Sequence, residues 1–311
     1  MPEVQQVHID AALTGVSVMY RNADFIADLV APPVAVRRQS DRYFVYDPKR
    51  EALRPTLDRR SPGAEASEVD FDLSSDSYFC EDHALAAAVP DEERDNADPA
   101  IQPDIDRVEF LTGKIALNRE QGLEEMLRTH PDVPEATLDP ADRWQNAGTD
   151  PVARIETARA AVFAACGRRA NTLVIGYEVF NTLRHHPAVI DRVKYSMGAV
   201  VTEDLLARLM DLDRVVVGRA VRNNAVKGRP AAVGPVWGRD AYLMHQPPRA
   251  GLKQVMAAVT FAWTGAGGVQ GTVVERWREP ARRADMVRVQ KYYDHKMVAP
   301  SAAHRLLQVI G

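Results

Sequence analysis

Residues 271–297 constrain the fold of this chain more than any other stretch. From Gly271 the sequence runs GTVVERWRE, turns at Pro280 and continues ADMVRVQKYYDHKMV. Val273, Glu275, Trp277 and Glu279 alternate with Val274, Arg276 and Arg278. Met286, Arg288, Gln290 and Tyr292 alternate with Val287, Val289, Lys291 and Tyr293. A period of two on both sides of a turn predicts a long antiparallel hairpin, because successive strand side chains point to opposite faces. Charges and aromatic rings occur on both faces, so neither is expected to be a plain core face. A hairpin of that character points to an element where copies of a chain meet.

Upstream, the chain divides by composition. Residues 1–41 read as an extended arm. Within it, 22–30 predict one short helix capped by Asn22 and stopped by Pro32 and Pro33. Residues 42–97 predict a long hairpin with a charged tip. RYFVYD starts it, the stretch around Ser61-Pro62-Gly63 turns it, and Val69, Phe71 and Leu73 resume the alternation. A two-stranded ribbon is marginal alone in water, so this one is expected to gain order from a neighbour. An acidic, proline-bounded linker follows over 90–103.

Residues 104–130 carry the strongest helical pattern. Ile105, Val108, Leu111, Ile115, Leu123, Met126 and Leu127 recur mostly at spacings of three and four. At 1.5 Å per residue the helix is about 40 Å long. After a Pro- and Asp-rich loop at 131–149, a compact α/β unit is expected over 148–252. Asp150 caps its first helix with Pro151 inside and Gly167 at the end. Strands follow from Thr172, Arg214 and Ala241, with helices over 177–185, after Pro187 and after the Thr202 cap. A further strand is expected over 255–263.

No reaction chemistry emerges. The one Gly-Lys pair, Gly113-Lys114, lies inside the long helix without a phosphate-loop pattern. The segment GAGGVQG (265–271) joins two strands and reads as a turn. His185 and His186 are adjacent on a helix end and have no partner at metal-ligand spacing. Asp91, Glu92 and Glu93 read as solvated linker. Cys80 and Cys166 stand alone and are expected to be isolated thiols. No catalytic, cofactor or metal residue is therefore assigned. The net charge of −4 gives no footprint for general nucleic-acid or membrane binding. Neither a membrane-length apolar run nor a secretory signal is read from the sequence.

The order of parts carries a resemblance. ANTLVIGYEVFNTLRHHPAVIDRVKY (170–195), LDRVVVGRAVRNNA (212–225), VWGRDAYLMHQ (237–246), TFAWT (260–264) and YYDHKMVAPSAAHRLLQVI (292–310) occur in sequence. Together with the arm, long hairpin and long helix, they resemble the tailed-bacteriophage major capsid proteins with the HK97-like coat fold, from about Asn22 onward. The resemblance implies an α+β fold with an N-terminal arm at 1–41 and an extended loop at 42–97. It implies a peripheral domain at 98–147 and 253–302 with a spine helix at 104–130, and an axial domain at 148–252 and 303–311.

The function so implied is a non-enzymatic subunit of an icosahedral shell around double-stranded DNA, in the virion and assembled in the bacterial cytoplasm. Its partners would be itself in hexamers and pentamers, a separate scaffolding protein, a portal and a decoration protein. Contact with packaged DNA would be non-specific. Intersubunit contacts are expected at Arg54, Arg59, Arg60, Glu65 and Glu68 of the loop tip and at Trp277, Tyr292 and Tyr293 of the hairpin. Lys49, the one lysine in 42–97, sits early in the loop, so the lysine–asparagine crosslink of some members is not expected. An encapsulin-like compartment shell and an α/β enzyme are the alternatives.

Overall fold

A computed structural model describes residues 8–9, 13–14, 17, 24–45, 55, 58–63, 65–66, 74–97, 102–194, 201–249, 251, 254–265 and 271–311. Asn22, Val69, Phe71 and Leu73 lie outside the described residues. In chain order the arm supplies β1 (His8–Ile9), α1 (Ala27–Val30) and β2 (Pro33–Val36). The loop region supplies β3 (Ser40–Val45), β4 (Ser74–Phe79) and β5 (Glu81–Pro90), and the linker α2 (Asp91–Asp95). The long helix α3 spans Pro103–Thr129, followed by β6 (Glu135–Thr137). Next come α4 (Pro151–Cys166), β7 (Thr172–Gly176), α5 (Tyr177–His185), α6 (Pro187–Val193), α7 (Glu203–Leu209) and β8 (Arg214–Gly218). The chain closes with β9 (Val221–Asn223), β10 (Val233–Pro235), β11 (Ala241–Met244), β12 (Ala258–Trp263), β13 (Thr272–Glu279), β14 (Ala284–Met297) and β15 (Ala303–Leu307).

The C-terminal hairpin forms as the alternation requires, with Thr272 opposite Lys291 and Glu279 opposite Ala284. The turn between its strands is a 3₁₀ turn over Pro280–Arg282, closed by Arg283 at φ 46°. β14 is the axis of a six-stranded sheet ordered β1-β13-β14-β12-β2, with β5 also paired to β14. This divides the expected 42–97 loop. β3 and β4 pair with each other as a ribbon, whereas residues 81–90 pair with residues 293–284 of β14. The physical reason lies in composition. The alternating run of Ala84, Ala86 and Ala88 with Leu85, Ala87 and Val89 is small enough to lie between a strand and a helix. The strand expected over 255–263 belongs to this sheet as well, as β12.

Charge and bulk on the hairpin are sorted by length instead of by face. At one end Val274, Val287 and Val289 are buried under Val108, Leu111 and Ile115 of α3, which makes a small core. That is a core face where none was expected. At the other end the same strands carry Arg276, Arg278 and Asp285.

A second sheet, ordered β6-β15-β11-β7-β8, recruits β15 from the chain's end and β6 from the loop after α3. Helices α4 to α7 cover it, and the largest core gathers here around Leu173, Ile175, Leu183, Leu206 and Leu243. Leu123 and Leu127 of α3 enter that same core. One helix thus packs its first half on one sheet and its second half against the other. Asp150 caps α4 through Val152 N and Ala153 N, at 3.1 and 3.3 Å. Gly167 ends α4 at φ 67°, a left-handed position that costs glycine nothing.

Candidate assembly interface

The joint between the two sheets is polar, although it is buried. Arg119, Glu120 and Glu124 are each at most 6% exposed. Glu120 accepts from Ile26 N at 3.0 Å and Ala27 N at 2.8 Å, so a distant carboxylate does for α1 what a local cap would do. It also accepts from the indole N–H of Trp237 at 2.5 Å. Burial pushes its pKa up, and the donated hydrogen bonds only partly counter that. Glu124 accepts from the Tyr242 hydroxyl at 3.3 Å, and burial again raises its pKa. Arg119 pairs with Asp28 at 2.6 Å, and Thr260 lies 2.9 Å from His295 Nδ1. Burial, then Arg119, takes the His295 pKa down to about 3, so this imidazole is neutral. Burial and the same Arg119 bring Lys291 down to about 8. Arm, helix, sheet and α/β unit are thus held at one place.

At the far end of the hairpin an ionic network replaces apolar packing. Arg278 holds Asp91 through two 2.6 Å contacts, and Arg276 and Arg94 reach Asp285 at 2.7 and 2.9 Å. Arg107 pairs with Glu93 at 2.7 Å, and Arg283 with Glu92 at 3.7 Å. Asp91, Glu92 and Glu93, expected as solvated linker, are therefore tied to arginines. Alternation alone misses this, since ion-pair partners can lie nearly 200 residues apart.

The predicted contact residues separate into three groups. Arg59, Arg60 and Glu65 are exposed at the loop tip, and none pairs with another described residue. Arg54 and Glu68 lie outside the described residues. Trp277 is half-buried with the Arg288 guanidinium 5.3 Å from its ring, and Tyr292 packs edge-on against Trp263 at 5.1 Å. Tyr293 is 5% exposed and stacks on His83 at 4.1 Å, which places it in its own chain's interior and corrects its expected role.

The ribbon β3–β4 shows how the loop is rooted. Tyr43 and Tyr78 lie on its inner face against Phe261, at 5.3 and 4.4 Å between rings. On the outer face Phe44 and Phe79 are more than half exposed. A second exposed apolar patch runs from Phe110 of α3 to Val221 of β9 and lines a groove of about 490 Å³ with Phe25 and Leu117. Asp106 and Glu109 stand exposed on its rim. Scattered apolar residues are ordinary on a surface, whereas contiguous ones mark contact areas. Sequence reading missed these patches because a surface phenylalanine has no periodicity of its own.

Among the described residues no group of His, Cys, Asp and Glu could hold a metal ion, and no helix is long and apolar enough to cross a membrane. Cys80 and Cys166 are buried free thiols, and burial pushes Cys80 up to about 11.

No family model matches the sequence. The chain is 30% identical over 275 residues to the major capsid protein of Pseudomonas phage JBD67, with 86% of each covered. It is 29% identical over 257 residues to that of Burkholderia phage BcepMu, with 79% of each covered. A phage-related protein of Bordetella bronchiseptica superposes with a TM-score of 0.76, at 21% identity, over 97% of both chains. The capsid of cyanophage P-SCSP1u gives 0.62 at 11% identity, over 93% of this chain and 89% of that one. An encapsulin complex from Synechococcus elongatus gives 0.54 at 12% identity over the same shares. At such identities the structural likenesses speak for the fold alone.

Proposed function

Because the chain belongs to the major capsid proteins of tailed bacteriophages, we propose that its exposed loop tip closes the shell by pairing with a neighbouring copy. The fold is the α+β HK97-like coat fold, and the protein is a structural component of the virion that assembles with itself. The observation that carries the loop reading is the absence of partners for Arg59, Arg60 and Glu65 among the described residues. Three exposed charges without a partner among the described residues gain their partners from outside. Asp106 and Glu109, exposed on the long helix, supply acids of the right sign on a neighbour's peripheral domain. Each such contact is weak, but it recurs in every subunit, so multivalency makes the closed shell stable.

The domain reading supports the same arrangement. The unit around 148–252 with 303–311 is the axial domain that meets its copies at five- and six-fold axes. The hairpin sheet and the long helix form the peripheral domain. Trp277 and Tyr292, half-buried on that domain, are further contact positions. Scaffolding, portal and decoration proteins are the expected companions of such a shell, which would assemble in the host cytoplasm around non-specifically held double-stranded DNA. A catalytic role is not proposed, since both sequence relatives are structural proteins. The encapsulin reading shares only the fold, whereas both sequence relatives are phage capsid proteins.

Negative-stain electron microscopy of the purified chain, alone and with the products of its neighbouring genes, tests the assembly. Closed shells, tubes or capsomer rings are the expected result. A monodisperse monomer under every condition overturns it.

A further inference from the structure

Between Asp213 and Asp240 the chain has no acidic residue in 26 positions, yet it has six basic ones. The chain as a whole is at −4, so the remainder carries about −10 by the same count. Three of the six are engaged within the fold. Arg214 donates to Leu29 O at 3.0 Å, Arg219 pairs with Glu203, and Arg222 lies within electrostatic reach of Glu124. Lys227, Arg229 and Arg239 are exposed and pair with no described residue.

Two of these sit at the tip of a built ribbon. β9 and β10 pair antiparallel, with Val221 opposite Pro235 and Asn223 opposite Val233. Asn223 closes the tip by accepting from Ala225 N at 3.0 Å and Ala232 N at 2.9 Å. Arg229 N donates to Val226 O at 3.0 Å, and Gly228 turns at φ 92°. A tip fixed in this way presents Lys227 and Arg229 on either side of Gly228 without a further ordering cost. No acidic side chain within the ribbon offsets them.

Resting on the capsid reading, we propose that the β9–β10 ribbon is the surface through which each subunit contacts the phosphate backbone of the packaged duplex. Two cations per copy make a weak, sequence-independent contact, because phosphate contacts position a duplex without reading it. Repetition over the shell turns weak contacts into an effective lining. A chain that is acidic elsewhere avoids gripping the genome over its whole surface. Val221 and Val233 share the opposite ribbon face from Arg222 and are more than half exposed. A ribbon seated on a neighbouring copy is therefore the competing arrangement, and the test separates the two.

The full chain, kept below the concentration at which particles form, is titrated against a fluorescent DNA duplex over a range of salt. The double variant Lys227→Glu/Arg229→Glu is compared with Arg184→Glu/Arg208→Glu. The latter makes the same charge change at exposed, unpaired positions elsewhere. The ribbon variant is expected to lose about tenfold in affinity and to lower the salt slope by about two, roughly one per phosphate contact. The control pair should leave the slope within about 0.5 of wild type. Equal losses in both variants, or no duplex binding by wild type, overturn the proposal. So does a ribbon variant that binds DNA normally but no longer forms shells, since that assigns the ribbon to a neighbouring copy. Failure of the wild-type chain to form particles would instead count against the capsid reading.

Discussion

Glu120 shows how much one side chain decides in this fold. It is 0% exposed and satisfies donors from the arm and from Trp237 of the α/β unit, while its own backbone belongs to the long helix. Trp237 is equally fixed. A Cβ on Gly218 would run into its indole ring, and one on Gly176 into its carbonyl oxygen. Removing the carboxylate strands three buried donors, each costing about 1–3 kcal/mol when left unpaired. Glu120→Ala should therefore destabilise the chain by about 4 kcal/mol, and Glu120→Gln, which keeps one acceptor, by roughly half of that. Urea unfolding followed by tryptophan fluorescence measures both. An unchanged midpoint for Glu120→Ala would mean that water replaces the carboxylate and that the joint is not held by it.

At the scale of elements, the ribbon β3–β4 is rooted by tyrosines, and the described residues of the loop tip are exposed. Tyr43 and Tyr78 lock its root onto Phe261, independently of residues 55–67. Deleting 55–67 should consequently leave a folded, soluble subunit with the wild-type circular dichroism spectrum that no longer closes shells. Normal particles from that deletion would remove the loop tip from assembly. The elements themselves were largely legible. The period of two in 271–297, the spacing of Val108, Leu111, Ile115, Leu123 and Leu127, and the Asp150–Pro151 start with its Gly167 stop are local signals, and local signals survive in a sequence. Pairings between distant segments were not legible. β6 is three residues long, and only its partner β15 makes it a strand. β5 reads as the return of a hairpin until β14 is seen beside it. Arg119, Glu120 and Glu124 lie in a run, NREQGLEE, that looks solvated, because nothing local announces that Trp237, Tyr242 and the arm will cover it. The loop-tip charges were legible as charges, but no described residue of the chain pairs with Arg59, Arg60 or Glu65.

Over the whole molecule, the response to pH follows from where titratable groups are buried. His295 sits at the meeting of arm, long helix and sheet, with Arg119, Lys291, His83 and Asp28 acting on it or beside it. Its folded pKa of about 3 lies below the ordinary value, so the unfolded chain takes up the proton first. The stability that depends on neutral His295 is complete above about pH 6.5 and is lost as pH falls toward 3, at up to about 1.4 kcal/mol per pH unit. Lowered carboxylates add to this loss further down. Arg192 holds Asp150 at about 2, and Arg278 holds Asp91 below its usual range, so both contributions fade as pH falls below about 4. Glu120, Glu124 and Asp294 act in the opposite sense. Burial raises their pKa, so their contribution is complete at low pH and is lost as pH rises through the raised value. Between pH 6.5 and 5 the lowered histidines contribute, and His295 has the largest shift among them. The decline of the thermal midpoint of the unassembled chain across that interval should therefore be shallower in His295→Gln, whose amide cannot take up a proton, than in wild type. Parallel declines in the two proteins would place the acid sensitivity elsewhere, with His83, His130 and His304 the next groups to replace.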